Sequence, residues 1–317
     1  MYDDLKRLAI VLGDSIHSSK QDLARNGADN QRWKEELKER CLLGIRGGLE
    51  AQLEPDVAIR FVETPYNSKT IGRGAGKNEM SCRVWERVHA TRAITVLADV
   101  IDGSWNAVCG LPWSASTMVA LTEIEDHPKH VDDLILSDFK CGLIVPLVGG
   151  ISSPREMAGF YYGVAGEPPH YRLADSPIEY PLHPTDMDDV RQTRFFLDLF
   201  TAQTYDSLAI SMDAVKSLIY DWGDIGRFYG AGIELMSLLG KPGTTPGFGG
   251  YVAANQKADN LIPTTMLLEG AGVIVTNWWG EPIDQMRIMD RVYVAIAATR
   301  SLHEHMLRHL SRTVRLP

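Results

Sequence analysis

Cysteine is scarce in this chain: Cys41, Cys82, Cys109 and Cys141 are the four in 317 residues, and no two form a CxxC pair. Scattered cysteines behind an N-terminus (Tyr2-Asp3-Asp4-Leu5-Lys6) unlike a targeting sequence predict reduced, buried thiols in a cytoplasmic protein. Basic runs are missing as well. A net charge of −9 with nothing to match a phosphate backbone argues against a nucleic-acid partner. It does not argue against a phosphate substrate, because bound divalent metals reverse the local sign. No apolar run approaches the ~18–20 residues that span a bilayer, so no membrane partner is expected. Internal repeats and low-complexity tracts are absent too. What is present is ordinary for a soluble globular protein, 44% apolar and 23% charged, in a chain long enough for one large domain or two.

Periodicity divides the chain into alternating elements. Leu5, Leu8, Val11, Leu12 and Ile16 predict a helix over 5–25, and a second over 31–49 ends at Gly47-Gly48. A glycine-rich loop covers 65–79. Strands follow at 93–99 and 114–121, with short β pieces over 141–180. Helical stretches are expected at 186–201 and 231–239, a helix begins at 264–269, a strand runs over 273–277, and one helix over 286–309 closes the chain.

The most informative stretch is Asp99-Val100-Ile101-Asp102-Gly103-Ser104-Trp105-Asn106. The apolar, β-branched run Ala93–Ala98 before it predicts a buried strand, which puts Asp99 and Asp102 at its C-terminal end. Gly103 then permits a sharp turn whose exposed N–H groups can face an anion. Paired acids, glycine and hydroxyl in this order suit a magnesium site that receives phosphate. The plainer alternative is a strand end whose aspartates cap the next helix.

A second stretch, Lys257 to Pro282, bears on the choice between these. Ala258-Asp259 opens it, Glu269-Gly270-Ala271-Gly272 forms a turn, and Thr276 through Pro282 follow in register. Together with the first motif this resembles the inositol monophosphatase family of magnesium-dependent, lithium-sensitive phosphatases. The family's signatures read D-P-I-D-G-T-x-N-F and W-D-x-A-A, then E-A-G-G and T-D-x-x-G-x-P. The resemblance covers 94–121 and 225–284. It implies an α/β (α+β layered) fold, an α-β-α-β-α sandwich formed by one unit with approximate halves 1–150 and 151–317, and a homodimer.

The resemblance also implies a site. Asp99 bridges two metals, Glu63 and the Ile101 carbonyl complete one, and Asp102 and Asp259 hold the second; Mg2+ is the cofactor, two or three ions, with Li+ inhibitory. Glu79 and Glu86 are alternatives to Glu63. Phosphate sits on the N–H groups of Gly103 and Ser104, and the Ser104 hydroxyl orients the attacking water with Asp29 or Asn30. Asp259 can also be read as an N-cap, with Pro263 in the first turn.

Arg227-Phe228-Tyr229-Gly230-Ala231-Gly232 resembles the family's R-x-x-G-S-A turn, giving Gly230 and Ala231 a place against substrate. Inositol-specific members carry an acid about seven positions before the metal aspartate, and 251–257 has none. Asn255, Gln256 and Lys257 suit another polyol, Lys257 a second phosphate, or Lys257 is a solvated surface side chain. The partner expected is a small-molecule phosphate ester: a polyol, sugar or nucleoside monophosphate, or alternatively a bisphosphate. Departures such as Val100, Ser104, Ala107 and Ala258 leave a non-catalytic binding protein as a third reading. His305 and His309 have i, i+4 metal spacing without an evident third ligand, so a polar helix face is expected. Trp278-Trp279 suits packing or a dimer contact, and Gly247–Gly250 a flexible turn.

Overall fold

Leu5, Leu8, Leu12 and Ile16 form the buried stripe of the first helix, α1 (Tyr2–Gln21), which packs along α2 (Asn30–Gln52). The computed structural model describes residues 2–21, 30–63, 81–85, 90–103, 115–147, 159–174, 176–198, 212–222, 224–226, 232–241 and 248–311. The helix expected to stop at Gly47-Gly48 continues to Gln52. Gly44 and Gly48, one turn apart, are the reason: a Cβ on Gly44 would lie 3.1 Å from the Ser15 carbonyl, and one on Gly48 3.0 Å from Leu12. Missing side chains let the two helices approach, and Ser15 Oγ donates to the Gly44 carbonyl at 2.9 Å. Close packing outweighs the intrinsic helix cost of glycine.

Eight strands follow: β1 (Val57–Glu63), β2 (Ser81–Trp85), β3 (Arg92–Asp102), β4 (Ser116–Glu125), β5 (Phe139–Pro146), β6 (Gly159–Val164), β7 (His170–Leu173) and β8 (Glu179–Pro181). They form one sheet in the order β2-β1-β3-β4-β5-β6-β7-β8, with β1 parallel to β3 and every other neighbour antiparallel. After β9 (His183–Pro184) come β10 (Arg194–Asp198), α3 (Met212–Asp221), β11 (Asp224–Gly226), β12 (Leu239–Gly240) and β13 (Phe248–Lys257). The chain ends with α4 (Ile262–Gly270), β14 (Ile274–Asn277), β15 (Arg291–Ala297) and α5 (Arg300–Leu310). The second sheet runs β11-β10-β13-β15-β14, and β9 pairs with β12.

Alternation of side chains then builds five layers. One face of the first sheet (Phe61, Val96, Val119, Leu143) packs on α1 and α2. Its other face (Val62, Leu97, Met118, Ile144) meets α4 and, beyond it, Phe196, Tyr251, Val294 and Ile296 of the second sheet. The far face of that sheet (Phe195, Val252, Ala295) carries α3 and α5 through Leu218, Leu302 and Met306. This is the expected α-β-α-β-α sandwich. Among the described residues no helix is long and apolar enough to cross a membrane, and Cys41 and Cys141 are buried free thiols.

The inner layer is tight at Gly142 of β5, where a Cβ would meet the Pro263 carbonyl oxygen at 2.7 Å. A backbone atom cannot rotate away. Gly142→Val is expected to lower stability by about 1–3 kcal/mol, read as a lower urea midpoint; an unchanged midpoint would show that α4 can shift.

Several expected elements differ. The closing helix over 286–309 is instead β15 followed by α5. Val292, Val294 and Ile296 favour the strand, and Thr299 caps the helix, its Oγ1 accepting from Leu302 N at 3.3 Å. The helix over 186–201 gives way to β10, central enough for Phe195 and Phe196 to face two cores. Over the described residues 232–239 a 3₁₀ turn, Leu235–Leu238, forms in place of a helix, and Leu239 begins β12. Of the glycines read as a flexible turn, Gly249 and Gly250 lie at the start of β13: a Cβ on Gly249 would lie 2.7 Å from Leu302 and one on Gly250 2.1 Å from Met306 of α5. The strand expected over 114–121 is β4, running to Glu125. Trp278 is fully buried against Tyr293 and donates Nε1–H to the Val294 carbonyl at 3.2 Å.

Candidate active site

Parallel pairing of β1 with β3 sets Glu63 opposite Ala98, one residue short of Asp99. Asp99 pairs with Met118 and Asp102 with Ser116, so three steps along β3 match two along β4. That bulge has a geometric consequence. Residues three apart in a regular strand point to opposite faces, and one extra residue returns Asp102 to the face of Asp99. Gly103 ends the strand with φ of 68°, a left-handed turn that suits glycine.

Each acid is held by local backbone. The Asp99 carboxylate accepts from Ile101 N at 3.2 Å, and Asp102 Oδ2 accepts from Gly232 N at 2.8 Å. Asp259 lies just past β13, where its own N–H donates to the Ile288 carbonyl and its Oδ1 accepts from Asn260 N at 3.0 Å. It does not cap α4, whose N-cap is Leu261. Glu63 pairs with Lys38 Nζ from α2. Glu63, Asp102 and Asp259 are all buried, and Ala258 is wholly so.

Charge shows that three of these acids share one environment. Burial pushes the Asp99 carboxyl well above the usual range, and the charges of Asp102 and Asp259 push it further; the Ile101 N–H and Lys257 oppose this. Burial likewise pushes Asp259 up to about 6, against Lys257, the Asn260 N–H and Arg291. Half-buried Lys257 lies near enough to both carboxyls for its charge to favour their ionised forms. Burying repelling carboxylates costs stability unless a cation offsets their charge. An oxygen donor set in which neighbouring carboxylates oppose the ionisation of Asp99 fits a hard divalent ion. Among the described residues, no three of these four acids bring ligand atoms within 4.8 Å of one another.

The sign of the pH dependence follows. With its folded pKa above the ordinary 3.8, Asp259 binds a proton in the metal-free native state where the unfolded chain has released it. Its contribution is present below about pH 4 and lost as pH rises through about 6, roughly 3 kcal/mol in all. Denaturant titrations of metal-free protein should show wild type losing about that much relative to Asp259→Asn across the window. Parallel curves would place Asp259 in contact with water.

Of the residues expected at the site, Glu63, Asp99, Ile101, Asp102, Gly103, Lys257 and Asp259 stand at this end of the sheets. Asp29, Ser104, Gly230 and Ala231 lie outside the described residues, as do Glu79, Glu86 and the side chain of Asn255. Sequence reasoning missed Lys38, an apparent surface lysine until α2 packs. It missed acids near 251–257 as well: Gln256 Nε2 donates to Asp198 Oδ2 at 2.6 Å. Tyr251, buried beside Asp198, Glu234 and Asp102, has its phenol pushed well up and so kept protonated. These acids come from β10 and the turn before Leu235, too far along the chain for any motif.

No family model matches the chain, and no curated protein matches its sequence. Solved structures do match. An inositol monophosphatase from Zymomonas mobilis is 17% identical, with a TM-score of 0.61 over 98% of this chain and 99% of that one. SuhB of Mycobacterium tuberculosis is 14% identical, with a TM-score of 0.62 over 99% and 98%. Inositol monophosphatase II of Staphylococcus aureus MSSA476 is 14% identical, with a TM-score of 0.61 over 98% and 99%. At these identities the likeness is one of fold.

Proposed function

From the inositol monophosphatase fold of this chain, we propose that it is a magnesium-dependent phosphomonoesterase acting on a small polyol, sugar or nucleoside phosphate. The observation that carries this is the convergence of half-buried Asp99 with buried Asp102 and Asp259, whose charges oppose its ionisation, beside the left-handed turn at Gly103. Glu63, Asp99, Asp102, Asp259 and the Ile101 carbonyl are the proposed oxygen ligands. Two divalent ions on such ligands supply an acidified water and neutralise phosphate charge.

The chain's own groups do the rest. In this proposal the N–H groups of Gly103 and Ser104 meet phosphate oxygens, in the manner of a helix start. Ser104 orients the attacking water in this proposal, with Asp29 or Asn30 accepting its proton. Lys257 supplies positive charge near Asp99 and Asp259, where it steers an anionic substrate. Gly230, Ala231 and Asn255 are the proposed substrate contacts. A cytoplasmic homodimer belongs to the same proposal.

The Lys38–Glu63 pair favours a second reading. A lysine bound to a proposed ligand competes with a metal, as in a binding protein that has lost turnover. Lys257 in turn keeps a bisphosphate substrate in view. Phosphate release from sugar, inositol and nucleotide mono- and bisphosphates, with and without Mg2+ and with Li+, separates these. SaIMPase-II has been solved with 2'-AMP bound, which puts 2'-AMP in the panel. Magnesium-dependent, lithium-inhibited release is the expected result. Silence across the panel with Mg2+ still bound would favour the binding protein. Lys257→Ala should reduce bisphosphate turnover more than monophosphate turnover, and an equal effect would remove Lys257 from substrate.

A further inference from the structure

On the opposite side of the second sheet, the histidines read as a polar helix face do have a third partner. Asp221 is the last residue of α3, and His305 and His309 stand one turn apart on α5, packed against it. Both imidazoles aim at one carboxylate oxygen: His309 Nε2 lies 3.1 Å and His305 Nε2 3.7 Å from Asp221 Oδ2. Among the described residues this is the one group of three metal-ligating side chains whose ligand atoms lie within 4.8 Å of one another.

We propose that Asp221, His305 and His309 form a second metal site, selective for a borderline divalent transition ion such as Zn2+. The distances carry the assignment. Zinc binds histidine and carboxylate at about 2.0–2.1 Å, and a tetrahedron with such bonds has edges of about 3.3–3.4 Å. The two observed separations bracket that edge. Side-chain exposures of 16% and 12% for the histidines and 49% for Asp221 shield the imidazoles and leave one side open to a water as fourth ligand. Two nitrogens and one oxygen suit zinc better than magnesium, which prefers all-oxygen surroundings.

Ion pairing alone does not account for the cluster. His305 Nε2 is buried without a hydrogen-bond partner among the described residues. Its Nδ1 lies 3.3 Å from the exposed Arg308, which can only donate, so Nδ1 accepts and the ring proton sits on Nε2. Metal capture moves that proton to Nδ1 and releases the arginine to solvent. The Trp222 ring stands edge-on to His305 at 5.9 Å and limits its rotation. A bound ion would tie the end of α3 to α5 in the outermost layer, apart from the carboxylates between the sheets.

The test uses the full chain, stripped with a chelator, in an Asp99→Asn background that disables the carboxylate site. Zinc per chain is measured by equilibrium dialysis, with Co2+ as a spectroscopic probe of a tetrahedral site. One zinc per chain is expected, with the visible bands of tetrahedral cobalt and a raised unfolding temperature. Asp221→Asn, at a half-exposed helix end, and His305→Ala/His309→Ala should each weaken uptake by more than the ~10–100-fold of a lost supporting contact. Zinc uptake unchanged in both variants, or none in the folded Asp99→Asn chain, would overturn the site.

Discussion

Asp99→Asn should lower kcat/KM by on the order of 10³-fold or more, the scale of losing a preorganised electrostatic contact in a water-poor site. The same change should raise the unfolding temperature of the metal-free protein at neutral pH. Asp99 is half-buried near Asp102 and Asp259, so its ionised form is opposed from several sides. Asparagine keeps the shape and an acceptor for the Ile101 N–H while removing the repulsion. Opposite movements of activity and stability mark a residue held in an unfavourable state for function. Kinetics and thermal unfolding on the same samples check both halves; turnover near wild type would show that the metal sits elsewhere.

Gly232→Val should also have a large effect, for a steric reason. A Cβ at Gly232 would lie 2.2 Å from Ser116 Oγ, 2.8 Å from Met118 Sδ and 3.0 Å from Asp102 Oδ2. The Gly232 N–H that now holds Asp102 would be pushed away with its neighbours. Displacing a ligand by about 1 Å can cost on the order of 10²-fold in rate, with about 1–3 kcal/mol of stability lost to overpacking. Gly232→Ala should do the same more mildly. Activity within about twofold of wild type in Gly232→Val, against that 10²-fold expectation, would mean that Asp102 is not held by this turn.

The carboxylate-bearing end of the first sheet was legible because its signals are local. A β-branched run, two acids and a glycine predict a strand and turn from 93 to 103, and β3 with the left-handed Gly103 is what forms. The bulge that turns Asp99 and Asp102 to one face was not legible, because it depends on pairing with β4. The histidines of α5 were seen, but their aspartate is 84 residues earlier on α3, so only packing brings the three together. Two errors of type had one source. Over 186–201 and 286–309, apolar residues at mixed spacings suit helix and strand alike, and burial on both faces of the second sheet chose strand for 194–198 and 291–297.

The most direct test is calorimetric titration of Mg2+ into metal-stripped wild type and Asp99→Asn at about pH 6, near the raised Asp259 pKa, in buffers of different ionisation heat. The account predicts binding by wild type with protons released, because the ion displaces them from Asp99 and Asp259, and loss of both signals in Asp99→Asn. Equal binding by the two proteins, or none by wild type, would contradict a metal centre built on these carboxylates.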